Sequence, residues 1–181
     1  MTRTLILLLA AGAAVFHLFS AGVSPFTALV QRPIHLAFMA SLGFLGLGAR
    51  VRPSTTEASG DDPGSGGGPG QLGSKSWATV LTTGLLILAV LFTSLYLVSQ
   101  HEALVRRSGN PTPIDLVGGL LALGVVLELA RRTTGWGLVV VALLALVYAV
   151  SGPYLPGFLA HRGYGFTRLM EHLYLSTEGI W

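Results

Sequence analysis

The sequence predicts an all-α integral membrane protein with about five transmembrane helices, a disordered Gly-rich loop and a C-terminal amphipathic helix. Of its 181 residues, 51% are hydrophobic and only 10% are charged, with a mean hydropathy of +0.67. A soluble domain normally carries about 25% charged residues. The few charges also fall almost entirely between apolar runs, at residues 5–23, 34–49, 77–99, 116–127 and 133–154. A helix needs about 20 residues to cross about 30 Å of hydrocarbon.

The first run follows Met1-Thr2-Arg3-Thr4. It is expected to be a first transmembrane helix rather than a cleaved signal, because it continues past Phe16 and leads into more apolar sequence. The second run is short. It relies on tilt of its neighbours, on local bilayer thinning, or on Arg32 and Arg50 reaching outward to the interface. These two helices make up a first unit, residues 1–52.

Residues 53–76 form a flexible linker rich in Gly, Pro and Ser, with the acids Glu57, Asp61 and Asp62 and no apolar periodicity. As a flexible coil it has a reach of about 25–30 Å. Its glycines around Gly66 and Gly68 lack the strand-to-helix setting and the lysine of a phosphate loop.

Three further helices occupy residues 77–155. The third begins at Trp77 with Tyr96 toward its far end, and the fifth begins near Trp136 with Tyr148 and Tyr154 toward its end. Aromatic amphipaths favour the two membrane–water boundaries. The fourth run reaches spanning length only if Asp115 and Glu128 stand at its two ends, where a carboxylate costs far less than at mid-helix. Ahead of it Thr112 fits the N-cap, Pro113 the first helical position, and Asp115 the third, where it can accept a backbone N–H. At its other end Glu128 shares a face with Arg131 and Arg132. Gly135 then turns the chain, so helices four and five form an antiparallel hairpin.

Residues 156–181 form an interfacial amphipathic tail. Pro156-Gly157 breaks the fifth helix, and Phe166, Leu169, Met170, Leu173 and Tyr174 recur at helical spacing opposite Thr167, Arg168, Glu171 and His172. Such a helix lies in the membrane interface or against a partner.

Chemistry-bearing residues are scarce. There is no cysteine, which excludes disulfides and thiolate chemistry. Histidines 17, 35, 101, 161 and 172 show no metal-ligand spacing, and no pair of intramembrane carboxylates is present. No catalytic residue, cofactor or metal is expected. His17 within the first span reads as a hydrogen-bond partner to a neighbouring helix or as a proton relay, and His35 as a headgroup-level residue beside Arg32. Glu128, Arg131 and Arg132 read as an ion cluster that ends a helix and docks it, or as an ion or substrate gate. Asp115 reads as a cap or a cation ligand, and His161 with Arg162 as a phosphate site or a loop at headgroup level. Small residues, among them Ala10 with Ala14, Gly43, Gly46 and Gly48, and Gly118 with Ala122, favour close helix packing.

The net charge of +3 and pI near 9.7 come from arginines at helix ends, which meet lipid phosphates rather than nucleic acid. One side of the membrane collects Arg3, Arg50, Arg52, Lys75, Arg131 and Arg132, and the other Arg32, Arg106, Arg107, Arg162 and Arg168. This small excess places the N-terminus in the cytoplasm.

Four strings in order carry a resemblance: Arg107-Ser-Gly-Asn-Pro-Thr-Pro-Ile-Asp115, Leu127-Glu-Leu-Ala-Arg-Arg-Thr-Thr-Gly135, Gly152-Pro-Tyr-Leu-Pro-Gly157 with His161-Arg-Gly163, and Leu173-Tyr-Leu-Ser-Thr-Glu-Gly179. With Phe16-His17-Leu18-Phe19 and Arg32-Pro-Ile-His35-Leu36, this set resembles the N-terminal, small-subunit region of fused permeases of TRAP (tripartite ATP-independent periplasmic) transporters of the TAXI-associated type. The resemblance covers nearly everything except the linker. It implies a bacterial cytoplasmic-membrane secondary transporter, typically driven by sodium, that takes an organic acid from an extracytoplasmic solute-binding protein. It further implies that this region is a scaffold around a large permease subunit holding the substrate and sodium sites. The resemblance stops at Trp181, where that large region is expected to begin, so none of the family's transport residues falls on this sequence. The large subunit is then expected as a separate chain, or this chain is a truncated permease. In this reading Arg107, Asp115, Glu128, Arg131, Arg132 and His161 are architectural, and Phe166, Leu169 and Leu173 contact the large subunit or lipid. A membrane scaffold or assembly factor unrelated to transport is the alternative from a second class, and an intramembrane enzyme centred on His17 or Glu128 that from a third.

Overall fold

A computed structural model of the chain describes residues 2–23, 25–50 and 72–180. Among them are no strands and five helices long and apolar enough to span a membrane. The loop expected over residues 53–76 lies outside the described residues as far as residue 71.

Helix α1 (Thr2–Gly22) lies against α2 (Ala28–Arg50), with Ala13 buried and Gly12 facing the Phe38 ring. Helix α2 begins six residues before the charge-free run at 34. Thr27 carbonyl oxygen accepts from the N–H groups of Val30 and Gln31, at 2.9 Å each, and opens the helix there. Pro33 sits buried in the second turn, where its missing N–H leaves one carbonyl without its helical partner. The span so gained is Ala28–Gly46, with Arg32 inside it. That arginine, though exposed, donates to the Thr177 carbonyl oxygen at 2.6 Å.

Helix α3 (Leu72–Arg106) is the longest, and its spanning part Trp77–Arg106 has 30 residues. At about 1.5 Å per residue that exceeds a bilayer's hydrocarbon, so α3 tilts or projects. It runs two turns past the apolar run ending at 99, held there by a Glu102–Arg106 pair at 3.3 Å. Helix α4 (Pro113–Thr134) and α5 (Trp136–Ser151) form the expected hairpin. Its hinge Gly135 has φ 87° and ψ −168°, a conformation open to glycine alone at little cost.

The centre of the molecule is α2, α3 and α4, packed on one another, with α1 flanking α2 and α5 flanking α4. Two apolar layers stack along the bundle. Ala40, Phe44, Val90 and Val125 fill the layer nearer the N-terminus, and Leu97, Leu104, Ala122 and Tyr174 the layer at the other end. Lipid is as apolar as these side chains, so close packing and hydrogen bonds rather than hydrophobic burial hold such layers together.

The tail carries the expected C-terminal helix, over residues 166–175. After two 3₁₀ turns (Gly152–Tyr154 and Gly157–Leu159) come a short helix α6 (Phe166–Met170) and a π-helical turn (Glu171–Leu175). The buried face of this segment packs onto its own chain. Met170 and Tyr174 are buried against Gly118 and Gly119 of α4, while Leu169 and Leu173 are half-buried and Phe166 is exposed. The two adjacent glycines leave a flat strip that a ring can lie on. Of the other small residues, Gly43 meets Leu129, whereas Ala10 and Ala14 are exposed and Gly46 faces open space.

Candidate functional site

Two polar clusters pin the two ends of α4, about 20 Å apart at 1.5 Å per residue. The first is centred on Asp115, which is fully buried. One of its oxygens, Oδ2, accepts from the Thr112 backbone N–H at 2.7 Å and its hydroxyl at 2.8 Å, and the Thr112 hydroxyl oxygen in turn accepts from the Asp115 N–H at 3.4 Å. The capping box legible in the sequence is therefore present. The other oxygen, Oδ1, accepts from the Tyr96 hydroxyl at 2.6 Å and from Arg107 Nη2 at 2.9 Å. One carboxylate thus ties the end of α3, the connecting loop and the start of α4 into one unit. A buried charge with a guanidinium and three hydrogen-bond donors around it is satisfied.

The second cluster ends α4. Glu128 takes both Nε and Nη2 of Arg131 at 2.7 Å and also Nε of Arg132 at 2.7 Å. Arg132 reaches on to the Thr83 hydroxyl of α3 at 3.2 Å and lies 5.5 Å from the Phe44 ring of α2. Arg131 lies at the same distance from the Trp136 ring of α5. The cluster joins four helices, and Glu128 offsets one of its two arginine charges at the last turn. The basic side chains also suit the negative end of the helix.

Tyr174 connects the tail to the first cluster from beneath. Its hydroxyl donates to the Thr93 carbonyl oxygen at 2.8 Å, one turn deeper along α3 than Tyr96. Burial, with smaller contributions from the nearby Tyr96 and Asp115, raises its phenol above the ordinary tyrosine range. Above it, the Gly109 N–H is bonded to the Glu171 carboxylate.

The histidines have structural partners. His17 Nδ1 lies 2.6 Å from the Ala13 carbonyl oxygen and donates to it, and its Nε2 shares a hydrogen bond with His35 Nδ1 at 2.7 Å. The pair ties α1 to α2. His161 Nε2 is 3.0 Å from the Tyr148 carbonyl oxygen, and its Nδ1 accepts from the Gly163 N–H at 3.1 Å, which shapes the loop after α5. Both ring nitrogens of His161 are thus engaged within its own loop, while Arg162 beside it is exposed. No group of three or more potential metal ligands occurs among the described residues.

At mid-depth a cleft of ≈ 280 Å³ opens between α1, α2 and α3. Phe38 and Leu95 are among its walls; Ser41 and Ser94 line it too, with hydroxyls that have no partner among the described residues, and its lining has no ionisable side chain. The structure therefore brings Arg107 together with Asp115, and Glu128 with Arg131 and Arg132, while His161 stands apart. Sequence reasoning misses the cross-helix partners Tyr96, Thr83, Phe44 and Tyr174. Tyr96 is visible in the sequence only as an interfacial aromatic, and nothing in a single sequence pairs Thr83 with Arg132. Comparison with protein-family models, with curated proteins and with solved structures finds no match.

Proposed function

We propose that this chain is the small membrane-subunit region of a TRAP-type secondary transporter. In this role it scaffolds a large permease subunit during ion-gradient-driven uptake of an organic acid supplied by an extracytoplasmic solute-binding protein. Its place would be the bacterial cytoplasmic membrane, and its role non-catalytic. The observation that carries this reading is where the intramembrane charge goes. Asp115, Glu128, Arg131 and Arg132 close on one another and on neighbouring helices at the ends of α4, and the mid-depth cleft has no ionisable lining. Polar groups arranged this way fasten helices, and the cleft between α1, α2 and α3 offers a cation or a carboxylate in transit no ionisable side chain. The ordered strings from Arg107 to Gly179 give the reading its family.

The flanking helices fit a scaffold. In α5 only Val139 is buried, while Leu138, Val141, Leu144 and Val147 are each more than half exposed. Such a face is covered by lipid or by another membrane subunit. It would equally serve an assembly protein unrelated to uptake, and one experiment separates the two. Mild-detergent purification from native membranes should co-isolate a large multi-span permease. Liposomes holding this chain and a binding protein, under a sodium gradient, should take up no organic acid until the large subunit is added. Uptake by this chain alone, or consistent co-isolation of a non-transport complex, would overturn the proposal.

A further inference from the structure

A second cleft, of ≈ 290 Å³, lies where three spans end: Leu29 opens α2, Leu104 and Arg107 close α3, and Pro111 precedes α4. The tail forms its remaining wall through Glu171, Ser176 and Thr177. The position suits the membrane–water boundary, since three apolar spans begin or stop there. The lining is divided. Leu29, Leu104, Val105 and Leu175 are apolar, and Arg107, Ser108 and Glu171 are polar.

The two charged residues of this cleft are not paired with each other. Arg107 directs only Nη2 to Asp115 and Tyr96, and its Nε is buried with no partner among the described residues. A guanidinium has five N–H donors in a fixed fork, and this one, 29% exposed, commits one nitrogen to Asp115 and Tyr96. Glu171 accepts from the Gly109 N–H and keeps lone pairs to spare. A cleft with an under-satisfied cation, a carboxylate, hydroxyls and an apolar floor matches a ligand that carries both an anion and a primary ammonium beside an apolar stem.

We propose that this cleft binds an aminoalkyl phosphate, with the phosphate on Arg107 and Ser108 and the ammonium on Glu171. At the membrane boundary the abundant source of that chemistry is the phosphatidylethanolamine headgroup, and free phosphoethanolamine is the aqueous one. A choline headgroup has no N–H to give Glu171. A glycerol headgroup sets a phosphate near that carboxylate with no cation to match it. The inference is independent of the transport reading.

The test uses the full chain in vesicles of equimolar phosphatidylethanolamine, phosphatidylcholine and phosphatidylglycerol, with retained lipid read by native mass spectrometry after detergent extraction. The wild type should retain the ethanolamine lipid over the other two by about tenfold, the worth of one charge-assisted hydrogen bond. Glu171→Gln still accepts from Gly109 yet carries no charge, so the preference should vanish while the fold persists. Val105→Trp, at an exposed wall position, should narrow the cleft and lower retention without touching either ion. Soluble phosphoethanolamine should displace the retained lipid, whereas its binding without any lipid retention would assign the same site to the aqueous source. Equal retention of all three lipids with no binding of phosphoethanolamine, or a preference that survives Glu171→Gln, would overturn the proposal.

Discussion

Asp115 shows how one side chain decides a helix boundary in this protein. Its carboxylate closes the capping box and neutralises Arg107, so removal by Asp115→Ala leaves a guanidinium without its anion and the Thr112 N–H without its acceptor in the capping box. Loss of one partner from a buried pair costs about 3–5 kcal/mol. The expected outcome is a large drop in the unfolding midpoint in detergent, with Asp115→Asn in between because an amide can still cap. Equal midpoints for wild type and Asp115→Ala would show that the cluster contributes nothing. Tyr174 offers a test in pH. Its phenol is raised by burial, so the folded tail holds the neutral form, and its stabilisation is complete below the unfolded value of about 10. As pH rises through that value, the unfolded form begins to ionise and the contribution declines. Protection of the tail against limited proteolysis should therefore fall above about pH 10 in the wild type and not in Tyr174→Phe. The same fall in Tyr174→Phe would remove the phenol from the explanation.

At the level of elements, packing against glycine sets where the tail lies. A methyl at Gly118 would stand 3.1 Å from the Tyr174 ring, too close without a shift of the π-helical turn. Gly118→Ala should therefore loosen the tail and speed tryptic cleavage at Arg168, while Gly124→Ala, which faces open space, should not. Similar cleavage rates in the two variants would contradict the docked tail. At the hinge, Gly135→Ala should cost about 1–3 kcal/mol for a side chain placed in a region of backbone space reserved for glycine. These elements also mark how much a sequence discloses. Thr112, Pro113 and Asp115 announce the start of α4 because capping chemistry is local. Glu128 and its two arginines announce the end because i, i+3 and i, i+4 spacing is local too. A charge-free criterion starts α2 six residues late because it stops at Arg32, whose partner Thr177 is 145 positions away. The amphipathic pattern of the tail is plain in the sequence, but its covering surface, Gly118 and Gly119, looks like an ordinary small-residue motif for helix–helix contact. Amphipathicity tells which face is buried and is silent on what buries it.

For the whole molecule, an odd number of spans fixes one consequence that no single contact does. Five crossings put the start of α1 and the tail after α5 on opposite sides of the membrane, with the connection between α2 and α3 on the side of the start. Six basic residues against five decide only weakly which side is cytoplasmic, but the relative placement does not depend on that balance. The absence of native cysteine makes the placement directly measurable. A thiol introduced by Ser59→Cys, between α2 and α3, and another by Phe158→Cys, an exposed position in the loop after α5, each give a chain with one reactive group. In sealed, right-side-out vesicles a membrane-impermeant maleimide should modify one of the two and spare the other until detergent is added. Labelling of both from the same side would mean that one apolar helix does not cross. The failing helix would be α3, α4 or α5; α1 precedes both labelled positions and touches chiefly α2, through the His17–His35 bond and the Gly12–Phe38 contact. Asymmetric labelling means an odd number of crossings from α3 to α5, and it leaves α1 and α5 as the two outer faces of a three-helix centre, where a second membrane subunit has room to lie.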